Sequence, residues 1–153
     1  MLKWLWLSGL MLVLDQVSKI WIDTNLDLYQ SIPVISGFSI TYAHNYGAAF
    51  SFLSDAGGWQ RWFFAVLAIA VSAGIVIWMM RLKDHEKLLA VSLSLILGGA
   101  VGNIVDRVLY GYVIDFLDVY YQSYHWPVFN IADSAISLGV GLMLYESFTV
   151  KES

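Results

Sequence analysis

Four apolar runs separated by stretches of unequal length set the plan of this chain. The first, Trp4 to Ile22, is about 19 residues long, enough to cross the hydrocarbon core of a bilayer as a helix. The second runs from Trp62 to Met80 without a charge, the third from about Leu88 to Val105, and the fourth from Ile131 to about Phe148. Residues 23–61 and 106–130 are too polar and broken to span. Within the first of these stretches, SIPVISGFSITYA (Ser31 to Ala43) has a turn signal at Ser36-Gly37 and alternation at Phe38, Ile40 and Tyr42. That pattern predicts a short hairpin lying on the membrane surface. Asn45 to Phe50 (NYGAAF) suits close backbone approach, and its plainest reading is a turn before an amphipathic segment. Gly57-Gly58 ahead of Trp59, Arg61 and Trp62 reads as a hinge followed by an interfacial anchor. The expected fold is an all-α polytopic membrane protein, a single domain over residues 1–153. It has four transmembrane helices (about 4–22, 62–80, 88–105 and 131–148) and a small β-containing extracytoplasmic loop region.

Composition agrees with the pattern. Hydrophobic residues make up 59% of the chain and charged residues 13%, against about 25% charged in an ordinary soluble domain. Seven Trp and nine Tyr supply interfacial anchors. The absence of cysteine excludes a disulfide and a thiol nucleophile. A net charge of −4 without a basic cluster argues against nucleic acid as a partner. Lys3 before an apolar run imitates a signal peptide, but Asp15 and Lys19 lie inside the run and no small-x-small cleavage site follows. It reads as a retained span. With four spans both termini share a side, together with five basic residues (Lys3, Arg81, Lys83, Lys87, Lys151), while the opposite loops hold Arg61 and Arg107. The positive-inside rule puts the termini in the cytoplasm.

Candidate chemistry gathers in GGAVGNIVDRVLYGYVIDF, Gly98 to Phe116. Asn103, Asp106 and Arg107 stand at i, i+3 and i+4 and share a helix face. Gly98-x-x-x-Gly102 allows close helix packing. Asp115 follows Gly111 in a segment that reads as loop. Asn130 and Asp133 open the fourth run. Charges beside such apolar segments are costly and mark functional sites. Consecutive antiparallel spans can bring Asp115 and Asp133 together near the outer face, where the pair would hold one proton between them. One carboxylate could then activate water while the other polarises a scissile carbonyl.

Taken singly, each of these residues has a plainer role. Asp15 and Lys19 read as a structural ion pair, with Lys19 snorkelling to the interface. Asp106 and Arg107 can be an interfacial ion pair, and Asp118, near a run of tyrosines, can be solvated. Asn130 can be the N-cap of the fourth helix, with Asp133 at N3 closing a capping box. A Ser18–Lys19 protease is disfavoured because adjacent helical residues do not face each other. His44, His85 and His125 are scattered and there is no HExxH, GxSxG or P-loop. Two other classes stay open, a small transporter with carboxylates along an ion path and a membrane scaffold packed through its glycines.

Four ordered boxes carry a resemblance to the lipoprotein signal peptidase (signal peptidase II) family over essentially the whole chain. Asp15-Gln16-Val17-Ser18-Lys19 resembles D-x-x-[ST]-K, with Ser18 where Thr is frequent. Asn45 to Phe50 resembles N-x-G-x-A-F, Gly98 to Phe116 resembles G-G-x-x-G-N-x-x-D-R-x-x-x-G-x-V-x-D-F, and Phe129 to Asp133 resembles F-N-x-A-D. The resemblance implies an aspartic endopeptidase that removes the signal peptide from diacylglyceryl-modified prolipoproteins, cutting before the lipid-modified cysteine. It implies a catalytic pair at Asp115 and Asp133. Supporting or substrate-binding roles fall on Asp15, Lys19, Asn45, Gly47, Asn103, Arg107 and Asn130. Asn45 and Arg107 would meet the peptide backbone, while Asn103 and Asn130 would orient the pair. It further implies no metal and no cofactor, a monomer in the bacterial cytoplasmic (inner) membrane, contact with membrane lipid, and inhibition by globomycin-type cyclic peptides. The loop from Ser31 to Phe52 would form a small sheet cradling the substrate at the outer surface.

Overall fold

The computed structural model describes residues 1–47 and 58–149. Ala48, Ala49 and Phe50 of the small-residue box, and Gly57 of the expected hinge, lie outside the described residues. A 3-10 turn (Leu2–Trp4) leads into α1, Leu5–Asn25. The hairpin strands β1 (Ser31–Ile35) and β2 (Phe38–Asn45) follow, then α2 (Gln60–Arg81) and α3 (Lys87–Leu109). Strands β3 (Val113–Tyr121) and β4 (Tyr124–His125) precede α4, Ile131–Thr149. α1 with its leading turn, α2 and α3 are long and apolar enough to cross a membrane.

α1 buries much of what a soluble helix would expose. On α1 the buried stripe is Ser8, Asp15, Lys19 and Ile22, while Trp6, Val13, Val17, Ile20 and Trp21 are exposed. In lipid an apolar side chain gains nothing by turning inward, whereas a charge must find partners inside the bundle. α3 is the central helix, packed on α1, α2 and α4. Its glycines make this possible. A Cβ on Gly98 would meet Met11 and Ser8 of α1, one on Gly102 would meet the Asp15 carboxylate, and one on Gly99 would overlap the Ala132 carbonyl oxygen of α4. The spacing of Gly98 and Gly102 thus seats α3 against α1.

At one end of the bundle Trp4, Leu5, Met79, Leu82, Leu89 and Met143 pack together, which brings the start of α1, the α2–α3 connection and the later part of α4 to the same end. The sheet covers the other end. Its order is β1-β2-β3-β4, all antiparallel, and Phe129 adds a bridge to Leu117. The expected hairpin turns at Gly37, whose φ of 89° suits glycine. Ile22 and Leu26 from the end of α1 pack under Tyr42, Ile114 and Phe116.

Three expectations are corrected here. Asp115 lies on β3, paired with Ala43 of β2, and not in a helix-ending loop. α3 continues to Leu109, so Asp106 and Arg107 sit on its last turns instead of following it. Asp118 is not solvated: it is 4% exposed, accepts from Thr41 Oγ1 at 2.9 Å and pairs with His125 Nδ1 at 2.8 Å.

Candidate active site

Lys19 stands at the centre of a buried charge cluster. Its ammonium lies 2.8 Å from Asp15 Oδ2, 2.9 Å from Asp106 Oδ2 and 3.0 Å from Asn103 Oδ1. Three hydrogens thus meet three acceptors. Lys19 does not snorkel, being 1% exposed, because leaving two carboxylates buried without a cation would cost several kcal/mol, about 3–5 for a broken buried pair. Asp106 pairs with Lys19 and not with its neighbour Arg107, since adjacent helical residues point apart. The cluster also fixes the elements around it. Asp15 Oδ1 accepts the Ala132 N–H at the start of α4 (2.9 Å), and Asp106 Oδ2 accepts the Ile114 N–H at the start of β3 (3.1 Å). Gln16, which sequence reasoning passed over, donates to Asp106 Oδ1 at 2.9 Å and to the Gly102 carbonyl at 3.2 Å. A glutamine directly beside Asp15 in the first apolar run was the signal for it.

Three asparagines connect this cluster to Asp115 and Asp133. Asn103 Nδ2 donates to Asp133 Oδ1 at 2.8 Å. Asn130 Nδ2 donates to Asp115 Oδ1 at 2.7 Å, and lies 3.2 Å from both Asn103 Oδ1 and the Ile114 carbonyl. Asn45 Nδ2 donates to Asp115 Oδ2 at 3.1 Å. Asn130 is also the helix cap, its Oδ1 accepting the Asp133 N–H at 2.9 Å. Half of the expected capping box is therefore present, while the Asp133 carboxylate accepts from Asn103 across the bundle. Arg107 donates through Nη2 to the Gly47 carbonyl (2.9 Å) and through Nη1 to the Asn103 carbonyl (3.3 Å), with its guanidinium 5.6 Å from the Phe64 ring centre.

All nine residues expected at the site (Asp15, Lys19, Asn45, Gly47, Asn103, Arg107, Asp115, Asn130 and Asp133) join one hydrogen-bonded network. A cleft of about 690 Å³ reaches it. Asn45, Asn103, Arg107 and Asp133 stand on its wall, with Phe64, Leu67, Ala68 and Val71 of α2 facing Ile96 and Ala100 of α3 and Ile136 of α4. Asp115 lies behind that wall, 3% exposed. Burial, and then the charge of Asp133, push the Asp115 carboxyl up to about 7, against the pull of its two asparagine donors. Two carboxylates thus share one hydrogen-bonded network at the head of an apolar cleft. Among the described residues no group of three or more His, Asp or Glu is arranged to hold a metal. His44 instead stacks on Tyr112 (3.7 Å between ring centres) and contacts the Tyr42 hydroxyl at 2.8 Å, and burial holds its pKa below the usual value.

A family model for signal peptidase II matches residues 7–149. The chain belongs to the signal peptidase II family. It is 54% identical over 148 residues to the lipoprotein signal peptidase of Pseudoalteromonas translucida, covering 97% of this chain and 89% of that protein. To the lipoprotein signal peptidase of Pseudomonas aeruginosa it is 51% identical over 154 residues, covering 99% and 91%. A solved bacterial membrane enzyme superposes with a TM-score of 0.87 at 32% identity, covering 96% of this chain and 88% of that one. A second superposes with a TM-score of 0.82 at 33% identity, covering 94% and 90%. Membership sets this membrane protein among the proteases that remove signal peptides from prolipoproteins.

Proposed function

We propose that the protein is an aspartic endopeptidase of the bacterial inner membrane, acting on diacylglyceryl-modified prolipoproteins and cutting immediately before the lipid-modified cysteine. The observation that carries this reading is the joining of Asp115 and Asp133 by asparagine donors at the head of an apolar cleft. The ionised member of the pair takes a proton from water, and the resulting hydroxide attacks the scissile carbonyl carbon. The protonated member gives its proton to the carbonyl oxygen. Collapse of the tetrahedral intermediate breaks the C–N bond, and the pair returns a proton to the leaving amine. Asn103, Asn130 and Asn45 hold the carboxylates in place. Arg107 and Asn45, on the cleft wall, meet the peptide backbone. The apolar side of the cleft, from Phe64 to Val71, suits a lipid chain or an apolar signal helix.

The same reading makes α4 a fourth span, puts both termini in the cytoplasm and sets the dyad near the outer face. The working unit is one domain and one chain, without metal or cofactor, and globomycin-type peptides would occupy the cleft. The test is cleavage of a diacylglyceryl-modified prolipoprotein by the purified protein in detergent with chelator present, beside Asp115→Asn and Asp133→Asn. Wild type is expected to cut before the modified cysteine, and each variant to lose about 1,000-fold or more in rate while staying folded. Normal cutting by either variant would overturn the dyad.

A further inference from the structure

A carboxamide has nearly the same shape whichever way it faces, so its orientation is set by what surrounds it. Each of the three asparagines at the dyad has its oxygen held by a group that can only donate. For Asn130 this is the Asp133 N–H, and for Asn45 it is the Gly47 N–H, both backbone groups two or three residues away. For Asn103 the donor is Lys19 Nζ, 84 positions earlier and on another helix. We propose that Lys19 is a positioning residue for the dyad: by holding the Asn103 oxygen it turns the amide nitrogen of Asn103 toward Asp133. This rests on the dyad reading above.

The geometry leaves Asn103 one good arrangement. Turned over, it would set its oxygen against the Asp133 carboxylate and its NH₂ against an ammonium, replacing two attractions with two repulsions. The Lys19 bond, at 3.0 Å, is charge-assisted, and such bonds are about twice as strong as neutral ones. The only other donor recorded on that oxygen among the described residues is Asn130 Nδ2, at 3.2 Å, and that nitrogen is already committed to Asp115 at 2.7 Å. Lys19 has spent two hydrogens on Asp15 and Asp106, and its third reaches the dyad through a single side chain.

Lys19→Met alone leaves two buried carboxylates without a cation, so loss of stability would mask its effect. The deciding variant is Lys19→Met with Asp106→Asn. It removes one charge of each sign, keeps the net charge of the cluster, and leaves at position 106 a carboxamide oxygen for the Ile114 N–H. Asp106→Asn alone, which keeps the Lys19–Asn103 bond, is the reference, and Asp133→Asn runs beside both. Expected for the double variant is a kcat about 100-fold below that of Asp106→Asn, with KM changed by about twofold at most. The same orientation is read in the unsubstituted protein by NMR with labelled asparagine. The Asn103 NH₂ protons should show a shift that follows the dyad's titration and should show no contact with the Lys19 ammonium end. Equal kcat in the double and single variants, or NH₂ contacts to Lys19, would overturn the Lys19 proposal while an inactive Asp133→Asn keeps the dyad. An active Asp133→Asn would overturn the dyad and the Lys19 proposal with it.

Discussion

Asn130 uses the two ends of one carboxamide for different purposes, and substitution can separate them. Its oxygen caps α4 through the Asp133 N–H, and its nitrogen donates to Asp115. Asn130→Asp keeps an acceptor for the cap but replaces the donor with a carboxylate facing a carboxylate. Cleavage should fall by about 100-fold or more, and the melting temperature in detergent should fall with it near neutral pH, because the new carboxylate is buried against other acceptors without a cation, and recover as acid protonates it. Asn130→Ala loses both, adding about 1 kcal/mol of cap energy to the loss of activity. Asp115 makes a prediction about pH. It titrates at about 7 in the folded protein against 3.8 for the free side chain, so the folded state binds more protons between those values. Its contribution to stability is full below 3.8 and is lost as the pH rises through about 7. Asp115→Asn should therefore melt higher than wild type at pH 8, by about 5 °C, with the gap shrinking toward pH 4. A gap independent of pH would mean that Asp115 is not held up by burial. For activity, kcat/KM should fall as the pH rises above about 7, where a pair sharing one proton gives it up.

At the scale of the elements, α3 is held where it is by the absence of side chains. Gly99→Val would drive two methyl groups into the Ala132 backbone at the start of α4, next to Asn130 and Asp133. Overpacking of this kind costs about 1–3 kcal/mol, and here it also displaces Asp133, so protein yield and kcat should both drop. Gly74→Ala on α2 meets nothing within 4 Å and should be neutral or stabilising by about 0.5–1 kcal/mol, because glycine costs that much in a helix. Equal melting temperatures for the two variants would refute the close packing. Much of this was legible in the sequence: the helical runs, the Gly98/Gly102 contact, the hairpin turn at Gly37 and the convergence of the polar boxes. What escaped was β3. Val113 to Tyr121 is rich in β-branched and aromatic residues, but two aspartates interrupt its alternation, and both are buried by partners far away in sequence. The inward turn of Lys19 was missed for a related reason. Snorkelling is the default for a lone lysine near a helix end, and its third acceptor, Asn103, is brought to it only by the α1–α3 crossing.

For the whole molecule the decisive property is polarity along the bundle axis. The start of α1, the α2–α3 connection and the later part of α4 meet at one end, around Met79 and Leu89. Asp115, Asp133 and the sheet occupy the other. That first end also carries Lys3, Arg81, Lys83 and Lys87, and the positive-inside rule predicts a cytoplasmic position for it. A protease at the opposite end would meet its substrate after the substrate's mature part has crossed the membrane, with the lipid chains still in the bilayer. The chain lends itself to a direct check because it contains no cysteine, so each introduced thiol is the only one present. Tyr29→Cys and Tyr124→Cys mark the sheet end, at positions 72% and 70% exposed, and Asp84→Cys marks the α2–α3 connection. In intact spheroplasts a membrane-impermeant maleimide should label the two sheet-end variants and leave Asp84→Cys untouched until the membrane is opened. Since four spans and three spans differ in where the chain ends, a fourth variant with a cysteine added after Ser153 counts the crossings. Protection of that thiol together with Asp84→Cys requires α4 to cross, whereas its labelling from outside would leave three spans and detach the chain's end from the cytoplasm.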